Sequence, residues 1–448
     1  MKHVNCHESY INYCVELTNN FLGSYKSVGE IKEDEPKINV YENLDHIDEP
    51  KDIAILQGLQ TKDYERAVET IMKGRFFAEH TAAGEATRLK LGTKYLINIP
   101  EHLTAERAAK AIAEEKGKDI NADDVISEAG CKPTEVLPLS LGTRHMLQYS
   151  FDIANLAKKY GYEPKEVLQK QKMLVVLNEA TADKIVSDFF ENNFFGFKRE
   201  NVMFMIQKAY HGIVPGSGSF IYDNSTSKRL HNHGHMVFQQ TFDKEIFYMS
   251  PEKERIYMSA EEYGNMLKGM DDKISYNIED LSYLTGSIDF DSLAFALKKG
   301  DEGYAMLMEI VSNNPENPQK GGMAAFDKKL ARNVMIEGFQ LKGIKNHEIT
   351  FLNKNFNHYP KPFKCWSLLK EKGLNMPVDV KDNAIYFQPV QGDINFLVQT
   401  EFFQRKELQP IKAWKSPATT PLAIKHMKMQ DQQDGFREYA ESILGKNI

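Results

Sequence analysis

The sequence predicts an α/β fold built on a mixed, mostly parallel sheet, and three observations carry that reading. Met173–Leu177 (MLVVL) and Val202–Ile206 (VMFMI) are short, uniformly apolar runs, the pattern of strands covered on both faces by helices. Between them, NEATADKIVSDFFENN has helical spacing and carries acidic residues at its start, where the positive end of the helix dipole favours them. A strand–helix–strand unit of this kind crosses over right-handed and makes its strands parallel. From Phe76 onward, Gly-containing turns alternate with apolar runs and amphipathic stretches, which extends the same architecture along the chain.

The remaining elements follow in order. Residues 1–75 read as a helical N-terminal layer, with apolar periodicity at Tyr10–Phe21 and Asp63–Met72. The charged, Pro-containing stretch Ile31–Asp52 between them reads as a connecting loop. Residues 76–385 form the sheet core. Within it, 100–137 is rich in strong helix formers and has no apolar strand, so it reads as a helical insertion. QYSFDIANLAKKYG is a helix ending at Gly161. Residues 386–448 mix a loop, a short apolar run and a terminal helix, the composition of a small C-terminal unit.

Bulk properties narrow the function. With 448 residues and 42% hydrophobic content, the chain can bury a large core. Its formal net charge is −7 and it has no basic stripe, which argues against a nucleic-acid partner. No apolar run spans a bilayer and the N-terminus lacks a signal-peptide pattern, so neither a membrane nor secretion is expected. The four cysteines, Cys6, Cys14, Cys131 and Cys365, have no CxxC spacing, as in reduced cytoplasmic proteins. His3, Cys6, His7 and Cys14 match no usual zinc spacing.

Four segments can carry chemistry. Thr81-Ala82-Ala83-Gly84-Glu85-Ala86-Thr87-Arg88-Leu89 has small residues that let backbone N–H groups approach a phosphate, with Arg88 and Lys94 as nearby charge; it also fits an ordinary strand-to-helix turn. His231-Asn232-His233-Gly234-His235 places three histidines at alternate positions. It fits a metal site, a flat base against Gly234, or a polar loop. Asp289-Phe290-Asp291, after YLTGSI, reads as two carboxylates at the end of an apolar strand. Such a pair suits a hard divalent cation bridging phosphates, or is simply an acidic strand end. Trp414-Lys415-Ser416-Pro417 offers a lysine as a point cation for phosphate, or a basic surface segment.

Taken in chain order, these segments resemble the UDP-sugar pyrophosphorylase family, within the larger group of UDP-glucose and UDP-N-acetylhexosamine pyrophosphorylases. The family's AGGxGxRLG loop is similar to Ala82–Lys90, and the lysine after it to Lys94. Its helix-opening segment resembles Gly142-Thr143. LNEATADKIVSDFFENNFFGF is similar to its SEATH-like turn, helix and FFG corner, and Gln207 to the glutamine that holds uracil. The PHGHGDVH-like segment resembles Leu230–Met236, the metal-bearing D-x-N-x-L-x-F segment Asp289–Phe295, the PFPGNINQL loop Pro389–Leu397, and the FKSPTRLECMMQD segment WKSPATTPLAIKHMKMQD. The chain departs from the family at Ala83, Ala86 and Lys90, which stand for glycines, and at His235, which stands for an aspartate. The resemblance covers residues 80–431.

The resemblance implies a Rossmann-like nucleotidyltransferase core joining a sugar 1-phosphate to UTP, with Mg²⁺ as cofactor, to give a UDP-sugar and pyrophosphate. It implies Arg88, Lys94 and Lys415 as the catalytic cations and Asp289 and Asp291 as metal ligands. Ala82, Ala83, Gly84, Gln207, His233 and Gly234 would bind nucleotide, and Gly392, Asp393 and Asn395 the sugar. Two other functions fit the same segments: a non-catalytic nucleotide-sugar-binding protein, to which the altered loop points, and a glycosyltransferase using Asp289-x-Asp291.

Overall fold

Ten strands form the spine of one large twisted sheet: β1 (Ala54–Leu56), β2 (Phe76–Thr81), β3 (Lys172–Asn178), β4 (Val202–Gln207), β5 (Ile246–Met249), β6 (Arg255–Tyr257), β7 (Asp272–Asn277), β8 (Met306–Ser312), β9 (Phe351–His358) and β10 (Thr400–Arg405). The computed structural model describes residues 10–84, 89–314, 316, 318–407 and 412–448. Across the sheet the order is β6-β5-β4-β3-β2-β7-β9-β8-β10-β1. The expected parallel unit is present: β3 and β4 pair in parallel from Met173 opposite Val202 to Asn178 opposite Gln207. β2 pairs in parallel with both β3 and β7. On the far side, β8, β10 and β1 are mutually parallel. The antiparallel β9 lies between β7 and β8, so both parallel groups run the same way and end at one edge of the sheet.

The apolar runs explain the core. Met173–Leu177 and Val202–Met205 are buried throughout because helices cover both faces. The helix Ala182–Glu191 lays Ile185, Val186 and Phe189 on the sheet. The helix Leu141–Lys159 starts earlier than the sequence pattern indicated, capped by Ser140, whose Oγ accepts the Thr143 N–H at 3.1 Å. Gly142 is required there, since a Cβ would sit 2.1 Å from the Tyr95 ring. The 100–137 insertion is helical, with Ala105–Lys116 and Ala122–Ala129 each closed by a left-handed glycine, Gly117 and Gly130.

Residues 31–52 depart from the loop reading. Val28–Ile38 is a helix, started by Ser27 accepting from the Glu30 N–H, with Ile31 fully buried. The capping serine and the buried apolar pair outweigh Pro36 in its last turn. Residues 54–56 and 400–405 both lie in the large sheet, so the chain segments on either side of the core contribute strands to it. The terminal helices dock through Arg144, fully buried, whose Nη1 meets Asp431 Oδ1 at 2.6 Å. Val378–Lys381 and Ala384–Phe387 belong to a smaller four-stranded sheet with Ile213–Pro215 and Phe220–Tyr222. Cys14, Cys131 and Cys365 are buried thiols. Among the described residues, no helix is long and apolar enough to cross a membrane.

Candidate functional site

Thr81, Asn178, Gln207 and Asn277 are the last residues of β2, β3, β4 and β7, and such a carboxyl edge is where open α/β sheets take ligands. A polar cavity of about 340 Å³ opens there, lined by Glu279, Asp280, Asp289, Lys354, Arg405 and Lys415 among others. The backbone brings these distant segments together. Trp414 N–H donates to Glu279 O at 2.8 Å and Leu281 N–H to Lys412 O at 2.7 Å. Trp414 is fully buried, with its indole N–H on Thr420 Oγ1 at 3.1 Å. That anchor holds Lys415, itself half exposed, with its Nζ 3.1 Å from Glu279 Oε1.

The same carboxylate pairs through Oε2 with Lys94. Lys94 is buried, and its N–H donates to Gly84 O at 3.1 Å, which ties it to the start of the candidate phosphate loop. Burial works to raise the Glu279 carboxyl, but Lys94 and then Lys415 more than offset this and hold it below its usual 4.5. Ala82 and Ala83 are buried and Gly84 is exposed. Arg88, with Glu85, Ala86 and Thr87, lies outside the described residues. Lys90 keeps φ at 54°, a left-handed conformation that glycine adopts at less cost.

Asp289 and Asp291 diverge. The expected strand end is instead a helix start: Asp289 is the N-cap of Phe290–Asp301, accepting the Ser292 N–H at 3.0 Å. An N-cap residue and the one two places on point to different sides of the first turn, whereas on a strand they would share a face. Asp289 lines the cavity and meets Arg405 Nη2 at 2.6 Å; Arg405 overrides burial and keeps its carboxyl low. Asp291 is exposed and accepts the Tyr64 hydroxyl at 2.8 Å. The pair therefore does not fit a shared divalent ion. No group of three or more potential ligands among the described residues does so either.

On the other side of the strand edge, Gln207 is half-buried opposite Asn178. The histidine segment is a turn entering the helix Gly234–Gln239, not an extended face. His231 Nδ1 shares a 2.8 Å hydrogen bond with the Tyr10 hydroxyl, and His235 Nε2 a 2.9 Å bond with that of Tyr210. Burial pushes His231 down to about 4 and His235 well down, so both act as neutral core residues binding the N-terminal helix. His233 is half-buried against Asn232 Oδ1, 2.8 Å from its Nδ1. Gly234 is demanded by packing: a Cβ would stand 2.3 Å from the Pro389 carbonyl carbon.

The 391–396 turn divides its candidate sugar residues. Gln391 Nε2 reaches Ser275 Oγ at 3.3 Å, at the cavity wall. Gly392 is buried. The Asn395 amide is engaged within the chain, by the Met335 N–H at 3.2 Å and Gly392 O at 2.7 Å. Asp393 lines a different cavity.

Sequence reasoning missed Glu279, Asp280, Lys354 and Arg405. Lys354 Nζ and Arg405 Nε both reach Glu309 Oε1, at 2.7 and 3.0 Å. The acid pair Glu279-Asp280, one residue beyond the IleSerTyrAsn strand, was the available signal; Lys354 and Arg405 sit on strands whose pairing no local pattern reveals.

A scan against protein-family models gives no match, and a search of curated proteins gives none. Solved structures do match. A UDP-N-acetylglucosamine pyrophosphorylase of Trypanosoma brucei, in complex with an inhibitor, superposes with a TM-score of 0.56 at 13% identity, covering 94% of this chain and 85% of that one. A UDP-glucose pyrophosphorylase variant of Leishmania major in complex with UDP-glucose gives 0.52 at 10% identity, covering 94% and 80%. A protein of Entamoeba histolytica provisionally named a UDP-N-acetylglucosamine pyrophosphorylase gives 0.52 at 16%, covering 82% and 83%. At these identities the likeness is one of fold: the chain is built on the same framework as UDP-sugar pyrophosphorylases, and its resemblance to them extends from motif order to three dimensions.

Proposed function

We propose that the chain is a uridylyltransferase that joins a sugar 1-phosphate to UTP, yielding a UDP-sugar and pyrophosphate. The observation that carries this reading is one polar cleft at the carboxyl edge of the sheet, lined by Asp289, Lys415 and Glu279, with Lys94 paired to that Glu279 and hydrogen-bonded to Gly84. In the reaction a phosphate oxygen of the sugar 1-phosphate attacks the α-phosphorus of UTP. The bond from that phosphorus to the bridging oxygen breaks, and pyrophosphate departs. Such a transfer needs positioned charge rather than a covalent nucleophile. Arg88 and Lys94 would face the departing pyrophosphate and Lys415 the sugar phosphate, with Lys354 and Arg405 as further cations on the cleft wall. Gln207, with His233 and Gly234, would read the base. Magnesium dependence belongs to the proposal as a property of the triphosphate substrate, since the aspartate pair does not form a site.

One observation favours a second reading, a binding protein without turnover. Glu279 already pairs with Lys94 and Lys415, and Glu309 with Lys354 and Arg405. The glycosyltransferase alternative needs paired aspartates, whereas Asp289 meets Arg405 and Asp291 meets Tyr64. A panel of sugar 1-phosphates with UTP, ATP, CTP and GTP, followed by pyrophosphate release, separates the readings. Release with UTP and at least one sugar 1-phosphate supports transfer. Saturable UTP binding with no release for any member of the panel supports the binder.

A further inference from the structure

A second cavity, of about 440 Å³, shares no lining residue with the cleft. It lies between the end of the helix Val28–Ile38, the hairpin of Met323–Asp327 and Arg332–Ile336, and the 391–396 turn. One part of its wall is apolar: Ile38, Val40, Pro377, and the rings of Tyr41 and Phe396, stacked at 5.6 Å. Into this setting the fold places Asp393, 2% exposed, with neither carboxyl oxygen hydrogen-bonded. Leaving a buried polar group without a partner is costly, so an orphaned carboxyl lining a cavity marks a place for a ligand.

We propose that this cavity binds a small primary amine with an apolar body, whose ammonium group is received by Asp393 and whose body lies against Tyr41 and Phe396. Four other charged or polar groups at the site are already engaged or are peripheral. The Arg332 guanidinium donates to Val398 O and Phe396 O, each at 3.1 Å. The Tyr41 hydroxyl donates to Asp327 Oδ2 at 2.5 Å. The Asn39 side chain is spent on the Val378 backbone. Glu42 is exposed at the rim. Aromatic faces beside a carboxylate are what an alkylammonium group prefers.

Burial, and next the neighbouring Glu337 carboxyl, push Asp393 well above the usual carboxylate range. An arriving ammonium supplies the opposite charge that favours the ionised form of Asp393.

The test is calorimetry on the full chain with 2-phenylethylamine, against 2-phenylethanol as an uncharged probe of the same shape. The amine should bind about tenfold or more tightly than the alcohol, the scale of a hydrogen bond to a charged group, and Asp393→Asn should remove that preference. Equal binding of the two probes, no saturable amine binding, or an unchanged preference in Asp393→Asn overturns the proposal. Should that variant fail to fold, the wild type's own preference for the amine over the alcohol decides, and equal binding of the two overturns the proposal.

Discussion

Lys415 Nζ stands 3.1 Å from Glu279 Oε1, and the other oxygen of that carboxylate receives Lys94. One acid thus ties the lysine behind the candidate phosphate loop to a lysine near the C-terminus. The backbone pairing of 279–281 with 412–414 fixes the arrangement, so the two cations are held at a set separation before any ligand arrives. Preorganised charge of this kind lowers a barrier only where it interacts more strongly with the transition state than with the substrate.

Lys415→Met should lower kcat by about a hundredfold, comparable to removing one preorganised electrostatic contact. Lys415 is exposed, so thermal unfolding should move little. Sugar 1-phosphate KM should rise more than UTP KM. Steady-state kinetics on both substrates checks this, and wild-type kcat with wild-type KM for the sugar phosphate would remove Lys415 from the site.

Glu279→Gln should destabilise the fold by about 2 kcal/mol, less than the roughly 3–5 kcal/mol of fully enclosed pairs, because Lys94 loses its anion. The pH dependence has a definite sign. The folded carboxyl is held below its usual 4.5, so the pair's contribution is present above that value and lost as pH falls through the folded one. Urea unfolding should therefore show wild type and variant converging between pH 5 and pH 3. A constant difference across that range would contradict the assignment.

Asp289→Ala and Asp291→Ala should differ sharply. The first removes a helix cap, about 1 kcal/mol, and leaves Arg405 without one of its two acids, so activity should fall as well. The second touches an exposed contact with Tyr64 and should stay within about 0.5 kcal/mol of wild type, with unchanged turnover. Equal losses in the two variants would restore the paired-metal reading.

Much of the sheet was legible because burial on both faces leaves only apolar residues, as in Met173–Leu177 and Val202–Ile206. Motif order points to Lys94 and Lys415, which the fold pairs with one carboxylate, that of Glu279. The aspartates misled because YLTGSI is short and apolar, which suits a strand or a turn entering a helix equally, and only the Ser292 N–H on Asp289 decides. Glu279 was obscured by its neighbours: its role depends on the pairing of 279–281 with 412–414, a long-range contact with no local period. Asp393 was placed by its motif beside the sugar residues, but the turn directs it to the opposite cavity.

Gln207→Ala should weaken uridine nucleotide binding by about 1–3 kcal/mol, the cost of unpaired polar groups at a buried base edge. Its half-buried place opposite Asn178 leaves the amide accessible without a role in the core, so stability should hold. Calorimetry with UTP checks this; unchanged affinity would exclude Gln207 from base recognition.

The most direct measurement runs the proposed reaction backwards. The chain, incubated with magnesium, pyrophosphate and a panel of UDP-sugars, should form UTP from at least one of them, and should form none when pyrophosphate is replaced by inorganic phosphate. Nucleotide-sugar binding without UTP formation from any member of the panel would contradict the account and leave the chain a binding protein on a transferase fold.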